Sequence, residues 1–123
     1  MLARPAPGWS AWLNYTSLRA IDELTGLSLP RVPHVTQNAG LSWSNQGTSL
    51  GASYGFVGAR FDDAANFTPL SSSENVSVFG SIGLGSHLQV IARVDNLFKN
   101  RSEPAAGYGF VGEAFYAGLR LTL

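Results

Sequence analysis

Residues 76–95 read Val76-Ser77-Val78-Phe79-Gly80-Ser81-Ile82-Gly83-Leu84-Gly85-Ser86-His87-Leu88-Gln89-Val90-Ile91-Ala92-Arg93-Val94-Asp95. Val76, Val78, Gly80, Ile82 and Leu84 alternate with Ser77, Phe79, Ser81 and Gly83. After a short Gly85-Ser86-His87 break, Leu88, Val90, Ala92 and Val94 alternate with Gln89, Ile91, Arg93 and Asp95. Successive side chains of a strand point to opposite faces, so each half reads as a strand with one apolar and one more polar face. The glycine-led break is short enough for a tight hairpin turn. Strand length decides the fold. Each half runs roughly ten residues, close to the ~9–11 that a tilted strand needs to cross a bilayer, where soluble strands average ~5–6.

The same period-two pattern recurs along the chain. Trp9, Ala11, Leu13 and Tyr15 alternate with Ser10, Trp12, Asn14 and Thr16. Ala39, Leu41 and Trp43 alternate with Asn38, Gly40, Ser42 and Ser44, and Leu50, Ala52, Tyr54 and Phe56 with Gly51, Ser53, Gly55 and Val57. Phe115, Ala117, Leu119, Leu121 and Leu123 alternate with Tyr116, Gly118, Arg120 and Thr122. About six long strands result, with only residues 17–27 helix-like. Asn45-Gln46-Gly47-Thr48 joins the second strand to the third and Gly85-Ser86-His87 the fourth to the fifth, both as tight turns. The other connections, residues 20–33, 62–74 and 100–113, are long. Long and short alternate strictly, so one end of the sheet carries turns and the other carries loops. Outer-membrane β-barrels have this asymmetry, with short periplasmic turns and long extracellular loops. The expected fold is all-β: an antiparallel transmembrane β-barrel segment.

In that arrangement Trp9 and Trp43 sit at the lower end of the outward face, and Tyr15, Phe56 and Phe115 toward its upper end, as aromatic girdles do. Lipid is expected against Trp9, Leu13, Tyr15, Leu41, Trp43, Tyr54, Phe56, Val78, Ile82, Val90, Phe115, Leu119, Leu121 and Leu123. Arg93, Asp95 and Arg120 are expected on the lumen face, as an ion-pair network that steadies the wall. The word Tyr54-Gly55-Phe56-Val57-Gly58 returns as Tyr108-Gly109-Phe110-Val111-Gly112. The flanks disagree and the registers differ, so the first copy should meet lipid through Phe56 while Phe110 should not.

Composition agrees. Charged residues are 13% of the 123-residue chain, and eight Lys+Arg against eight Asp+Glu leave a net charge of zero. A soluble domain usually carries about 25% charged residues. A soluble β-sandwich binding module, the bland alternative, would be short of surface charge. No basic stripe offers itself to nucleic acid. The absence of cysteine removes disulfides and thiolate zinc sites. The N-terminal Met1-Leu2-Ala3-Arg4-Pro5-Ala6-Pro7 lacks the apolar core of a signal peptide, and no run reaches the ~18 apolar residues of a membrane helix.

Catalytic signals are weak, and no enzyme or cofactor is expected. Gly51-Ala52-Ser53-Tyr54-Gly55 matches G-x-S-x-G, but that chemistry needs a strand-to-helix elbow, and here the serine lies inside an alternating strand. His34 and His87 lack metal-ligand spacing. Asp62 and Asp63 end the third strand at the loop edge, where they could meet a cation or cationic ligand; the plainer reading is solvated loop charges. Asn66 and Tyr108, also in the long loops, complete the candidate ligand contacts.

With these residues placed, the chain resembles the C-terminal part of a TonB-dependent outer-membrane receptor of the vitamin B12 and siderophore type. Ala92-Arg93-Val94-Asp95-Asn96-Leu97-Phe98 is similar to that family's penultimate strand, which commonly ends in an acid followed by Asn-Leu-Phe. Phe115-Tyr116-Ala117-Gly118-Leu119-Arg120 is similar to its last strand. Arg31-Val32-Pro33-His34 resembles an element that opens an earlier strand, and Gly58-Ala59-Arg60-Phe61-Asp62-Asp63 with Asn66 resembles another family segment. Leu123 stands where the family usually ends in an aromatic residue, and Val111-Gly112-Glu113 where Pro-Gly-Arg often precedes the last strand. The resemblance implies that residues 1–123 are part of a roughly 22-stranded plugged barrel, with the plug and N-terminal strands absent from this sequence. It implies a location in the outer membrane of a Gram-negative bacterium. The partners would be outer-membrane lipid, the rest of the barrel and plug, the TonB complex through that plug, and a ferric siderophore or cobalamin taken up actively. A passive porin-like barrel would share the alternation but lack the Asn-Leu-Phe element. Six strands leave two open edges, which cannot face hydrocarbon unpaired, so the segment is not expected to transport alone.

Overall fold

The computed structural model describes residues 2–98, 105–107, 109 and 112–122. In chain order its strands are β1 (Leu2–Ala3), β2 (Trp9–Ser17), β3 (Val35–Asn45), β4 (Thr48–Val57), β5 (Arg60–Phe61), β6 (Pro69–Leu70), β7 (Ser73–Leu84), β8 (Leu88–Asp95) and β9 (Ala114–Leu121). Seven of them form one antiparallel sheet in the order β1-β2-β3-β4-β7-β8-β9, so each long strand pairs with the next long strand along the chain. The short β5–β6 pair stands apart as a hairpin within the β4–β7 connection. Among the described residues there is no helix.

The register carries the apolar face unbroken across the sheet. One row runs Ala11, Leu41, Ala52, Val78, Val94, Phe115. A second joins Trp9 to Trp43, Leu50, Gly80, Ala92 and Ala117. A third sets Ile82 beside Val90 and Leu119. A one-residue slip in any pair would turn that strand's apolar set to the other face, so the alternation in the sequence determines the pairing.

Among the described residues, nothing packs on that face. Leu70 is the one buried hydrophobic residue among those described, at 5% exposure. The chain of 13.1 kDa exposes 8694 Å², whereas a compact soluble monomer of its mass would expose about 6,400 Å². A sandwich needs two apolar faces packed together; this sheet is a single layer. Among the described residues, both edges, β1 and β9, are open.

The turn end is tight. Gln46 and Gly47 have φ of 43° and 83°, the paired left-handed conformation of a type I′ hairpin, whose twist matches the strands it joins. Gly85, with φ of 79°, opens the three-residue reversal between the paired Leu84 and Leu88.

Several boundaries differ from the sequence expectation. Residues 17–27 are not helical. Ser17 closes β2, and a bridge between Ile21 and Ser28 encloses a turn in which the Asp22 carbonyl accepts from Gly26 N–H at 2.7 Å and Leu27 O accepts from Asp22 N–H at 2.8 Å. Asp22 Oδ1 also takes Leu24 N–H at 2.9 Å, so a local side-chain bond competes with helix, and Gly26 at φ 71° ends the turn. β3 and β7 begin three residues earlier than their apolar alternation, at Val35 and Ser73, because backbone pairing extends past the apolar belt. β1, β5 and β6 are too short to show periodicity.

Candidate functional site

The long connections gather at one end of the strands and are tied to one another there. Residues 18–34 join β2 to β3, residues 58–72 join β4 to β7, and a third connection follows Asp95. Asp62 lies at their meeting point. Its Oδ1 receives Arg31 Nε of the first loop at 2.7 Å, and its Oδ2 receives the Ala106 N–H of the third at 3.2 Å. Arg31 also donates its backbone N–H to Phe61 O at 2.6 Å, from a left-handed φ of 61°. Asn66 makes a second tie: its Nδ2 donates to Ser28 O and its Oδ1 accepts from Ser28 N–H, both at 2.9 Å. A backbone amide pair is thus mimicked by one side chain across two loops.

Asp63 works within its own loop, accepting Thr68 N–H at 2.7 Å and Phe67 N–H at 3.1 Å. Hydrogen bonds to the charged form lower a carboxyl pKa. The Arg31 side chain holds Asp62 below the ordinary carboxylate value, and the Thr68 and Phe67 amides do the same for Asp63.

Two segments distant in sequence are therefore one structural unit. Arg31 of the Arg-Val-Pro-His stretch meets Phe61 and Asp62 of the Gly58–Asn66 stretch. The bases of the loops are closed as well, by Leu18 N–H on His34 O at 2.9 Å and Gly58 N–H on Val35 O at 2.8 Å. Of the candidate ligand contacts, Asp62, Asp63 and Asn66 are brought together at this rim, each already bonded within the loops; Tyr108 lies outside the described residues. Sequence reasoning missed Arg31 as a partner of Asp62, for a charge pair 31 residues apart leaves no local signal. Among the described residues no group of three or more His, Asp or Glu side chains is placed to hold a metal.

Below the rim, the polar face carries small hydroxyls and amides. Ser10 and Ser42 share a 2.7 Å hydrogen bond, as do Ser49 and Ser81, and Gln89 donates to Ser81 at 3.0 Å. Two aromatic rings lie on this face over cross-strand glycines: a Cβ on Gly40 would run into the Trp12 indole, and one on Gly51 into the Phe79 ring. Arg93 pairs with Asp95 at 2.7 Å. The expected three-residue network is smaller than that. Arg120 sits opposite Gln89, four residues from Tyr116, the cross-strand partner of Arg93, beyond the reach of an ion pair with Asp95.

Ser53 stays within β4 between Gly40 and Ser77, with no elbow to expose it as a nucleophile. The Asn-Leu-Phe element shapes the backbone. Asn96 turns left-handed at φ 55° and gives its N–H to Asn75 Oδ1 at 3.0 Å, while Leu97 N–H closes onto Val76 O at 3.0 Å. Asparagine tolerates that conformation better than most residues, so it ends β8.

On the opposite face, Tyr15, Gln37, Phe56 and Glu74 form one row near the loops. Phe115 lies two rows nearer the turns than Phe56. Strands of a barrel tilt against its axis, so a row is not a constant depth. Leu123 and Phe110 lie outside the described residues.

No family model matches the sequence, and no curated protein matches it. Solved structures do. A mutant of the ferric enterobactin receptor PfeA from Pseudomonas aeruginosa is 26% identical over 98% of this chain, with a TM-score of 0.76. Another mutant of that receptor, in complex with enterobactin, gives the same values. The copper transporter OprC matches over 98% of the chain with a TM-score of 0.77 at 18% identity, a likeness of fold alone. The chain spans about a fifth of these proteins, 21% of PfeA and 22% of OprC. Its structural neighbours are TonB-dependent outer-membrane receptors, and the chain has the fold of a stretch of their barrel wall.

Proposed function

We propose that the chain is barrel wall, with its extracellular loops, in an outer-membrane receptor that takes up a ferric siderophore with energy from TonB. The observation that carries this reading is the likeness of nearly the whole chain to PfeA, at 26% identity over 98% of its length. Cobalamin, the other ligand class that the sequence resemblance raises, has only that resemblance behind it. The single-layer sheet and its open edges support a wall completed by other strands and a plug, because unpaired backbone groups in hydrocarbon cost several kcal/mol each. The likeness of residues 92–98 and 115–120 to the last two strands of the family supports a position at the C-terminal side of that barrel. Lipid would cover the row from Ala11 to Phe115, and the face of Arg93, Asp95 and Arg120 would line the lumen.

The test is uptake of iron-55 ferric enterobactin by cells whose only siderophore receptor is the full-length protein containing this chain. Accumulation that a protonophore abolishes is expected; uptake indifferent to the protonophore would mean a passive pore. Nitroxide labels at Ile82 and Ser81 of the same protein check the faces. Oxygen should relax the first more strongly and a water-soluble nickel chelate the second.

A further inference from the structure

We infer that two aromatic rings, Trp12 and Phe79, set the register of strand pairs that no tight turn can set, by seating over a glycine of the facing strand. Side-chain alternation excludes a slip of one residue, because that would reverse the faces. It does not exclude a slip of two, which keeps every side chain on its own face. For β3–β4 and β7–β8 the tight turns decide, since a slip would have to remake the left-handed residues at Gln46-Gly47 or Gly85. β2–β3 and β4–β7 are joined instead by residues 18–34 and 58–72, connections long enough to absorb two residues.

Those two pairs carry the rings. Trp12 of β2 faces Gly40 of β3, and Phe79 of β7 faces Gly51 of β4. In both, a Cβ on the glycine would collide with the ring. A slip of two would set Trp12 against Asn38 or Ser42, and Phe79 against Ser49 or Ser53. Each of these has a side chain in the space that the ring takes over a glycine. A glycine within a strand marks such a place of close approach, and only the native register offers one to each ring. Between β8 and β9 the device is absent among the described residues: Gly118 faces Ile91, and a Cβ there would meet nothing within 4 Å. In a barrel the stagger of the strands is linked to their tilt and to the size of the barrel. The two glycine notches therefore bear on the shape of the wall as well as on its pairing. The inference concerns assembly of that wall and stands whatever ligand passes through it.

The sequence has no cysteine, so introduced pairs report register by their disulfide yield once the protein is folded into phosphatidylcholine vesicles. Asn14→Cys with Asn38→Cys reads the native β2–β3 register, and Ser10→Cys with Ser44→Cys reads a slip of two. With Trp12 and Gly40 intact, the native yield should exceed the slipped yield by about tenfold or more. Trp12→Ala and Gly40→Ala should each lower that ratio about threefold or more. The double variant should match Trp12→Ala alone, since the ring is what the added methyl meets. Phe79→Ala should leave the β2–β3 ratio as it is. Ser42→Gly leaves the native notch untouched and opens a second one, so it should raise the slipped yield about threefold or more; Ser42→Ala, which keeps a Cβ, should not. That gain decides the matter even where a Trp12 or Gly40 variant does not insert. An unchanged ratio in Trp12→Ala, an unchanged slipped yield in Ser42→Gly, or additive effects of Trp12→Ala and Gly40→Ala would overturn the inference.

Discussion

At the turn end of the sheet the chain reverses through bonds made by neighbours. Gln46 and Gly47 supply two left-handed residues in succession, and Asn45 and Thr48 on either side are already paired. At the loop end, closure depends on partners 31, 38 and 44 residues apart: Arg31 with Asp62, Ser28 with Asn66, and Asp62 with Ala106. The turn end costs little chain entropy to form. The loop end leaves long segments to be ordered, an entropy cost that grows with loop length, and it offsets that cost with side chains. The stiff end is therefore made locally and the other end by long-range bonds, which suits the proposed barrel wall with a variable rim.

The contrast requires the strands between the two ends to be the most stable part. Val78→Arg, in the middle of the apolar face, should cost about 2–4 kcal/mol as for cations near a bilayer midplane, read by urea unfolding of the protein in lipid vesicles. A smaller cost, near that of a soluble surface substitution, would break the assignment of that face to lipid. Gly47→Val should cost about 1–2 kcal/mol, the penalty of a left-handed conformation for a residue with a Cβ, in the same unfolding measurement. It should leave the distance between the loop tips unchanged.

Asn66→Ala should remove about 1 kcal/mol of local loop stability. Exchange at the Ser28 amide should quicken about fivefold, with little change in global unfolding; a large global change would mean that the loops hold the sheet rather than the reverse. The smallest effect is that of mild acid. Both loop carboxylates titrate below the ordinary value of 3.8 because their charged forms accept hydrogen bonds. A group with a depressed native pKa contributes stability above the unfolded value and loses it as pH falls through the native one. Exchange at Thr68 and Ala106, corrected for its intrinsic pH dependence, should therefore be equally protected at about pH 7 and about pH 5. Protection should fail only below the ordinary value of 3.8; failure near about pH 5 would contradict the bonds to Asp62 and Asp63.

Much of the sheet is legible in the sequence. Strand period, the turns at Gln46-Gly47 and Gly85-Ser86-His87, and the order of long and short connections follow from side-chain alternation and turn chemistry, which are properties of neighbours. The helix-like stretch at 17–27 is the instructive failure: Asp22 and Gly26 favour a turn as much as a helix, and the bridge from Ile21 to Ser28 decides between them. The rim was legible only in part. Asp62, Asp63 and Asn66 stood out as polar residues in long loops, but which of their atoms were already engaged could not be read, because that depends on Ser28, Arg31 and Ala106 arriving from other loops.

By itself, then, the amino-acid sequence determined the alternating faces, the two-ended character of the sheet and its need for an apolar surround, since these rest on local geometry and composition. Only the tertiary structure decided that one row of side chains runs unbroken from β2 to β9, that Arg93 pairs with Asp95 while Arg120 stands apart, and that three loops meet on one carboxylate. Each of those facts depends on the register between strands and on the approach of segments tens of residues apart, which no run of adjacent residues encodes.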